Sequence, residues 1–365
     1  MKQLLCFYIL IMFSIQLSAA GMQVPGLLEL QKKPSKIKDD ENVILFPTAA
    51  KISESGKFWI LPIHGWIFEP ERDDIFRNFV IRQLMRGSGA VPGTVEAEIF
   101  KERLHWFLVD NESGKKVMIK IIKKYATLEE SGNNGHFYGT LKLPLKRISE
   151  TNKQKLEIIV KLNDPRKFSG FVHCIPKKGI TVISDIDDTV KISNVRNKKE
   201  LMKNTFLKDF IPAPGMSKLY RKWEKHGVFF HYVSSSPWQL FHDIQLFMKN
   251  NFFPEAVFHL KNIRLKDTSL LKLFADPVKT KQIQLEKIVK DFPEHKFILV
   301  GDSGEKDPEV YGIMTRKYPE KIIGIAIRDV TGDKIKSQRY KVAFKSIPES
   351  IWKIFTDPSK LDFIK

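Results

Sequence analysis

Cysteine is nearly absent from this chain of 365 residues, which has two. Cys6 falls inside an apolar N-terminal run, and Cys174 stands alone beyond it. A single thiol forms no internal disulfide, so the fold rests on core packing even in an oxidising compartment. Neither cysteine has a second at metal-ligand spacing and no His-Glu-x-x-His occurs, which excludes the common zinc signatures. A P-loop and a Gly-x-Ser-x-Gly elbow are also missing, so neither a Walker-type nucleotide site nor a serine-hydrolase nucleophile is encoded. Residues 87–93 are glycine-rich, but they contain proline and lack dinucleotide-loop spacing, so they read as a plain loop. Beyond the first twenty residues nothing is long and apolar enough to span a bilayer. The 27 phenylalanines lie mainly on apolar stripes. No strand interleaves aromatic and basic residues as a single-strand nucleic-acid platform does, so no nucleic-acid partner is expected.

Acid is in deficit. Lysine and arginine number 61 against 42 acidic residues, a formal charge of +19. That balance favours anionic partners such as acidic headgroups or phosphorylated substrates, although the lysines are spread too evenly to choose among them. At the N-terminus, Lys2 precedes an unbroken apolar run over 4–13, and Ser18-Ala19-Ala20 follows as a small-residue cleavage site. The run is shorter than the roughly 20 residues of a span, so 1–20 is expected to be a signal peptide, with an uncleaved anchor as the alternative. Export to a periplasm or the outside follows from that expectation.

Composition divides the rest. Residues 21–40 carry proline and lysine without periodicity and read as a linker. A β-rich accessory domain is expected over 41–177. It contains an apolar run over 58–67, a helix opened by the acidic stretch 69–74 and continued to Leu84, and strands over 104–109, 116–122, 136–143, 156–162 and 168–175. Their near-regular spacing predicts a β-sandwich of roughly seven strands. After Pro176-Lys177-Lys178-Gly179, short apolar strands alternate with helical stretches over 178–345, the pattern of a Rossmann-like parallel sheet flanked by helices. Residues 346–365 are expected to be a C-terminal helix or tail.

Three strands of that second region end in polar residues. Residues 180–184 run into Asp185, 228–233 into Ser234, and 297–301 into Asp302. Carboxylates at buried strand ends need compensation, which a divalent cation supplies. Asp185 and Asp187 face the same side if the chain stays extended. One carboxylate can attack phosphorus while its neighbour moves the proton, so Asp185 is expected as nucleophile and Asp187 as an acid/base that begins protonated. Asp185, Asp187 and Asp302 are the expected metal ligands. An EF-hand is excluded, because its sixth and twelfth positions would hold Val190 and Arg196. Ser234 is expected to bind phosphate, with Ser236 capping the following helix, Pro237 at its first position and Gln239 completing a capping box. Lys281 lies on the apolar stripe of Leu285, Ile288, Val289 and Phe292, whereas Lys279 does not, so Lys281 is expected to reach the strand ends. Asp307 either supports the metal or caps the helix that Pro308 opens.

In order, Asp-x-Asp-x-Thr at 185–189, Ser234, Lys281 and Gly-Asp-x-x-x-x-Asp at 301–307 resemble the haloacid dehalogenase superfamily over about 180–330. The segments DIDDTVK, FHYVSSSPWQLF, FPEHKFILVGDSGEKDPEVY and IGIAIRDV look like the actin-patch-protein type of phosphatidate phosphatase. The resemblance implies an α/β fold of the haloacid dehalogenase type, with Thr189 closing the nucleophile motif. It further implies Mg²⁺-dependent hydrolysis of phosphatidate to diacylglycerol, and an upstream β-rich domain opening at His64-Gly65-Trp66. No large cap fits between the first two motifs, so the site is expected to be open to a substrate in a membrane. Lys191, Arg196, Lys198, Lys199 and Lys203 could meet phosphatidate or another anionic phospholipid there, or form a solvated flap. The alternatives are a phosphatase of soluble phosphomonoesters and a non-catalytic membrane-binding module.

Overall fold

The computed structural model describes residues 33–70, 91–146, 154–262, 277–333, 335 and 337–364. The expected signal peptide, residues 21–32 of the linker and residues 71–84 of the expected helix lie outside the described residues, while Glu69, expected to open that helix, ends a strand instead.

The first half contains β1 (Asn42–Leu45), β2 (Thr48–Ile52), β3 (Phe58–Glu69), α1 (Val95–His105), β4 (Asp110–Asn111), β5 (Lys116–Ile121), β6 (Lys124–Glu130), β7 (His136–Pro144), β8 (Lys155–Val160) and β9 (Ser169–Cys174). Alternation builds these strands: β5 and β8 bury Val117, Ile119, Ile121, Leu156, Ile158 and Val160 on one side. Where the spacing predicts about seven strands in a sandwich, nine described strands join in one hydrogen-bonded sheet. The twelve-residue β3 pairs antiparallel with β1 and β2 along one edge and with β7 along the other, and β2 passes the sheet on to β9. β7 approaches β6 closely, since Gly139 of β7 lies against Leu128 of β6 and a Cβ there would come within 2.6 Å of that side chain.

The strand predicted over 104–109 is instead the end of α1 and the turn after it. Thr94 Oγ1 accepts the Ala97 N–H at 3.3 Å, Glu96 and Glu98 occupy the first turn, and Arg103 and His105 the last. Both ends suit the helix dipole, and Ala97, Phe100 and Leu104 face the core.

The second half adds β10 (Gly179–Ser184), β11 (Lys191–Ile192), α2 (Lys198–Phe206), β12 (Ile211–Pro212), α3 (Met216–Lys225), β13 (Phe229–Pro237), α4 (Phe241–Asn250) and β14 (Val257–Lys261). It continues through α5 (Pro277–Asp291), β15 (His295–Asp302), α6 (Asp307–Lys317), β16 (Ile322–Arg328), α7 (Gln338–Ala343) and β17 (Trp352–Phe355). Six parallel strands lie in the order β14-β13-β10-β15-β16-β17. Neighbouring residues point to opposite faces: Val182, Phe230 and Val300 join the core under α3 and α4, while Ile183, Val233 and Leu299 join the core under α5 and α6. The segment 346–365, expected as a helix or tail, instead supplies β17, whose Trp352 to Phe355 lie parallel to β16. A four-residue strand this close to the end has too short a pattern to stand out in sequence.

The halves share a core, in which Phe46, Trp66, Phe68, Phe100 and Leu104 pack with Phe206, Trp238 and Phe241. No helix among the described residues is long and apolar enough to cross a membrane.

Candidate active site

The sheet order sets β13, β10 and β15 side by side, so Ser234, Asp185 and Asp302 emerge at neighbouring carboxyl ends, where open parallel sheets bind ligands. Asp185 continues the ladder, its N–H donating to the Val300 carbonyl at 2.8 Å. Lys281 enters from α5, buried in line with Leu285 and Ile288, while Lys279 is exposed as its position predicts. Its Nζ donates to Asp185 Oδ1 at 2.8 Å and to Asp307 Oδ1, and lies 3.8 Å from Glu305 Oε2. Asp302 Oδ1 accepts the N–H groups of Gly304 at 2.6 Å and Glu305 at 3.1 Å. The Asp302 N–H donates to Asp307 Oδ2 at 3.1 Å. Gly301 makes room for this contact, since a Cβ there would fall 2.1 Å from Asp307 Oδ2.

Asp185, Asp302 and Asp307 each offer an oxygen, all within 4.8 Å of one another, and all three residues are buried. Asp185 Oδ2 and Asp302 Oδ2 are buried without a hydrogen-bond partner among the described residues. One ammonium therefore faces three buried carboxylates, with Glu305 as a fourth at the edge. Burial and then the acidic neighbours Asp307 and Glu305 push the carboxyls of Asp185 and Asp302 well up. Burial also pushes Glu305, which stays partly open to solvent, up to about 7, with Asp307 adding to it. Burial opposes the charge on Lys281, but Asp185 and Asp307 outweigh it and hold the ammonium well above its usual range. An acidic excess of this kind with bare oxygens needs a further cation to remain ionised. Carboxylate oxygens with no nitrogen or sulfur donor are the ligand set of a hard divalent ion such as Mg²⁺, so these residues fit the ion the sequence implies.

Asp187 belongs to a different group. The chain after it curls because the Asp188 carboxylate accepts the N–H groups of Ser193 at 2.8 Å, Asn194 at 2.9 Å and Val195 at 2.7 Å. Asp188 and Asn194 take left-handed backbone angles, φ 53° and 58°, which Asp and Asn tolerate better than most residues. The curl returns Lys191 and Ser193 to Asp187 Oδ1, at 2.7 and 2.6 Å. Ser234 and Ser236 donate to Oδ2 at 3.2 and 3.1 Å. Behind them, the Lys191 ammonium and the Arg103 guanidinium of α1 both lie over the Phe210 ring, at 4.5 and 3.9 Å from its centroid.

Five expectations change. The Asp187 side chain is not in the carboxylate trio, because the curl gives it a cation of its own. It does not begin protonated either: burial would raise its pKa, but Lys191, Ser193 and Ser236 outweigh burial and hold it below the usual carboxylate range. Lys191 is 1 % exposed and tied to Asp187, so it is no part of a lipid-facing basic stretch. Asp307 takes the place expected for Asp187. It begins α6, and its carboxylate is spent on Lys281 and the Asp302 N–H. Ser236 does not cap a helix, since β13 runs on through Pro237 and the next α-helix starts at Phe241 without a side-chain cap.

Of the remaining expected residues, Ser234 stands beside Asp187, three residues before β13 ends. Thr189 is buried, with a hydroxyl that has no partner among the described residues. Arg196, Lys198 and Lys199 are exposed at the start of α2. Sequence reasoning missed Ser193, and gave Ser236 and Glu305 no role at the carboxylates. All three sit within a few residues of a motif aspartate or serine, and that proximity was the available signal.

Residues 180–329 match the family model described as the catalytic domain of phosphatidate phosphatase APP1. Phosphatidate phosphatase APP1 of Saccharomyces cerevisiae is 29% identical over 250 residues, covering 65% of this chain and 41% of that protein. An uncharacterized protein of Schizosaccharomyces pombe is 31% identical over 194 residues, 51% of this chain and 31% of that one. The chain thus spans less than half the length of these curated relatives. Among solved structures, a class C acid phosphatase from Bacillus anthracis with tungstate bound is 15% identical, with a TM-score of 0.26, over 40% of this chain and 65% of that one. The matched segment 180–329 carries Asp185, Asp187, Ser234, Lys281, Asp302 and Asp307, so every residue of the candidate site lies where the chain is similar to the APP1-type phosphatidate phosphatase catalytic domain.

Proposed function

We propose that this chain is a Mg²⁺-dependent phosphatidate phosphatase. It releases phosphate and diacylglycerol through an aspartyl-phosphate on Asp185. One observation carries the reading: a buried trio of carboxylates, with two bare oxygens and a single lysine, in the segment similar to that catalytic domain. Asp185, Asp302 and Asp307 would hold the ion. When bound, Mg²⁺ lowers the repulsion between an anionic carboxylate and an anionic phosphate.

The chain's own groups do the rest. Lys281 fixes Asp185 through Oδ1. An Asp185 oxygen attacks phosphorus while the phosphorus–glycerol oxygen bond breaks, and its electron pair leaves with the glycerol oxygen. The proton for that oxygen enters on the monoanionic phosphate and passes through Asp187 Oδ2, which Ser234 and Ser236 hold in place. Asp187, ionised again, takes a proton from water as the water attacks phosphorus and the Asp185–phosphorus bond breaks, and then passes that proton to the departing phosphate, which restores both aspartates. The ionised state set by Lys191 suits this second half directly.

In this reading residues 178–345 are the haloacid dehalogenase-type domain, and 41–177 a β-sandwich-like accessory. The substrate is an anionic phospholipid at a membrane surface, reached after export. Phosphate release from phosphatidate in mixed micelles, with and without Mg²⁺, tests the reading beside glycerol 3-phosphate as a soluble substrate. Release from the lipid that stops on chelation is expected. Release from the soluble ester alone would contradict it.

A further inference from the structure

The cation that holds Asp187 is itself seated by groups from outside its own strand. Lys191 reaches Asp187 Oδ1 and Ser193 Oγ, each at 2.7 Å, and its ammonium stands 4.5 Å from the centroid of the Phe210 ring. Lys191 is buried, and an aromatic face at that distance attracts a desolvated ammonium. The backbone brings Phe210 there. It directly precedes β12, whose Ile211 and Pro212 pair with Ile192 and Lys191 of β11. The Ala213 N–H extends this pairing by donating to the Val190 carbonyl at 2.9 Å. From α2, Asn204 Nδ2 donates to the Ser193 carbonyl at 3.1 Å. Both groups on Asp187 Oδ1 therefore depend on α2 and the turn after it.

That turn is tied to the accessory half. α1 and the residues just beyond it present Phe100, Arg103 and Phe107 to the end of α2. The Phe100 and Phe107 rings pack on Phe206, with centroids 6.4 and 5.7 Å away. Arg103 Nη1 donates to the Thr205 carbonyl at 2.8 Å and to the Lys208 carbonyl at 2.7 Å. Thr205 lies in the last turn of α2, where carbonyls have no helical donor and a cation suits the dipole. The guanidinium carbon then stands 3.9 Å from the Phe210 centroid. Asp243 Oδ1 is 3.9 Å from Nε, beyond hydrogen-bond distance, so the described hydrogen bonds of this buried arginine all go to the one turn.

We propose that Arg103 is a positioning residue for Asp187, acting through Phe210 and Lys191. It fixes the end of α2 and the ring that follows, the ring seats the ammonium, and the ammonium holds the carboxylate. The accessory half thereby completes the proton-handling side of the site. The effect on turnover rests on the phosphatase reading, in which Asp187 moves the proton. The effect on the shape of the curl after Asp187 does not.

The test uses the full chain. Phosphate release from micellar phosphatidate in saturating Mg²⁺ is compared for wild type, Arg103→Met, Arg103→Lys and Phe210→Leu. Arg103→Met and Phe210→Leu are each expected to lower kcat about tenfold or more, while KM and the Mg²⁺ concentration for half-maximal activity stay within about twofold of wild type. Arg103→Lys keeps a cation beside the ring and is expected to recover about threefold or more of that loss. Phe210→Leu leaves Arg103 and its carbonyl bonds in place, so it decides the matter where Arg103→Met does not fold. On a Lys191→Met background the same two changes are expected to cost less than about twofold more, because the group they act through is gone. Losses equal on both backgrounds, or confined to KM, would overturn the positioning role.

Hydrogen exchange reads the geometry without turnover. The N–H groups of Ser193, Asn194 and Val195, which donate to Asp188, are expected to exchange about tenfold or more faster in Arg103→Met and Phe210→Leu. Those of Gly304 and Glu305, on Asp302, are expected to be unchanged. Equal exchange at 193–195 in variants and wild type would overturn the proposal. Faster exchange there in a chain that hydrolyses no phosphatidate would instead overturn the phosphatase reading and leave the positioning role standing.

Discussion

Asp185 and Asp187 stand two residues apart and are both buried, yet their surroundings differ in almost every respect. Among the described residues, Asp185 shares its only cation, Lys281, with Asp307, and its Oδ2 has no partner. Asp187 has Lys191 to itself and three hydroxyls besides, so both of its oxygens are occupied. Burial acts on both in the same direction. The number of cations per carboxylate decides which one is held ionised, and only the Asp185 group is left short. A site built this way asks for an external cation on one side and supplies its own on the other.

The comparison breaks most severely at Asp185, the proposed nucleophile. Asp185→Asn is expected to lower phosphate release by about 10³-fold or more while the fold is retained, measured on micellar phosphatidate. Next comes the shared lysine. Lys281→Met leaves the trio with no protein cation, and should cost about 3–5 kcal/mol in urea denaturation with chelator present, as loss of one partner of a buried pair does. Added Mg²⁺ should recover part of that loss, and equal stability of the two proteins would contradict the charge argument.

Lys191→Met sharpens the contrast from the other side. It removes the cation of Asp187 alone, so kcat should fall about 10²-fold while the Mg²⁺ concentration for half-maximal activity stays put. A parallel shift in Mg²⁺ dependence would mean the two groups are one. Gly301→Ala does the reverse, pressing a methyl group onto Asp307 Oδ2. A roughly tenfold weaker Mg²⁺ dependence is expected, as for other supports of metal ligands.

The smallest effect lies away from the centre, at the seam between the halves. His64 and His136 pair there at 2.9 Å, and burial pushes the His136 imidazole down to about 4 from 6.5. The unfolded chain takes up that proton first. Stability from this group is complete above about pH 6.5 and is lost as pH falls toward 4, by on the order of 1–2 kcal/mol at pH 5. Thermal melts between pH 7 and 5 measure it, and His136→Gln should flatten the slope.

The strand ends were legible because each couples an apolar run to a polar stop, and Lys281 because its helix carries a clean stripe. The company of Asp187 was not, since it depends on a curl held by three backbone N–H groups on Asp188, a contact that no side-chain period records. Sequence left two roles open for Asp307, metal support or helix cap, for a related reason. An aspartate before proline at a helix start has a local explanation, and only the packing of α5 against α6 brings Lys281 to it. In the accessory half, the pattern shows β5, β7, β8 and β9 but not the end of α1, because 104–109 is apolar enough for strand or helix and the Thr94 cap lies ten residues upstream of it.

The central claim is most directly tested by single-turnover reaction of radiolabelled phosphatidate with the purified chain in Mg²⁺, followed by acid quench. The account predicts label bound to protein at Asp185, absent from Asp185→Asn and absent when Mg²⁺ is chelated. Full turnover by Asp185→Asn, or hydrolysis indifferent to chelation, would contradict it.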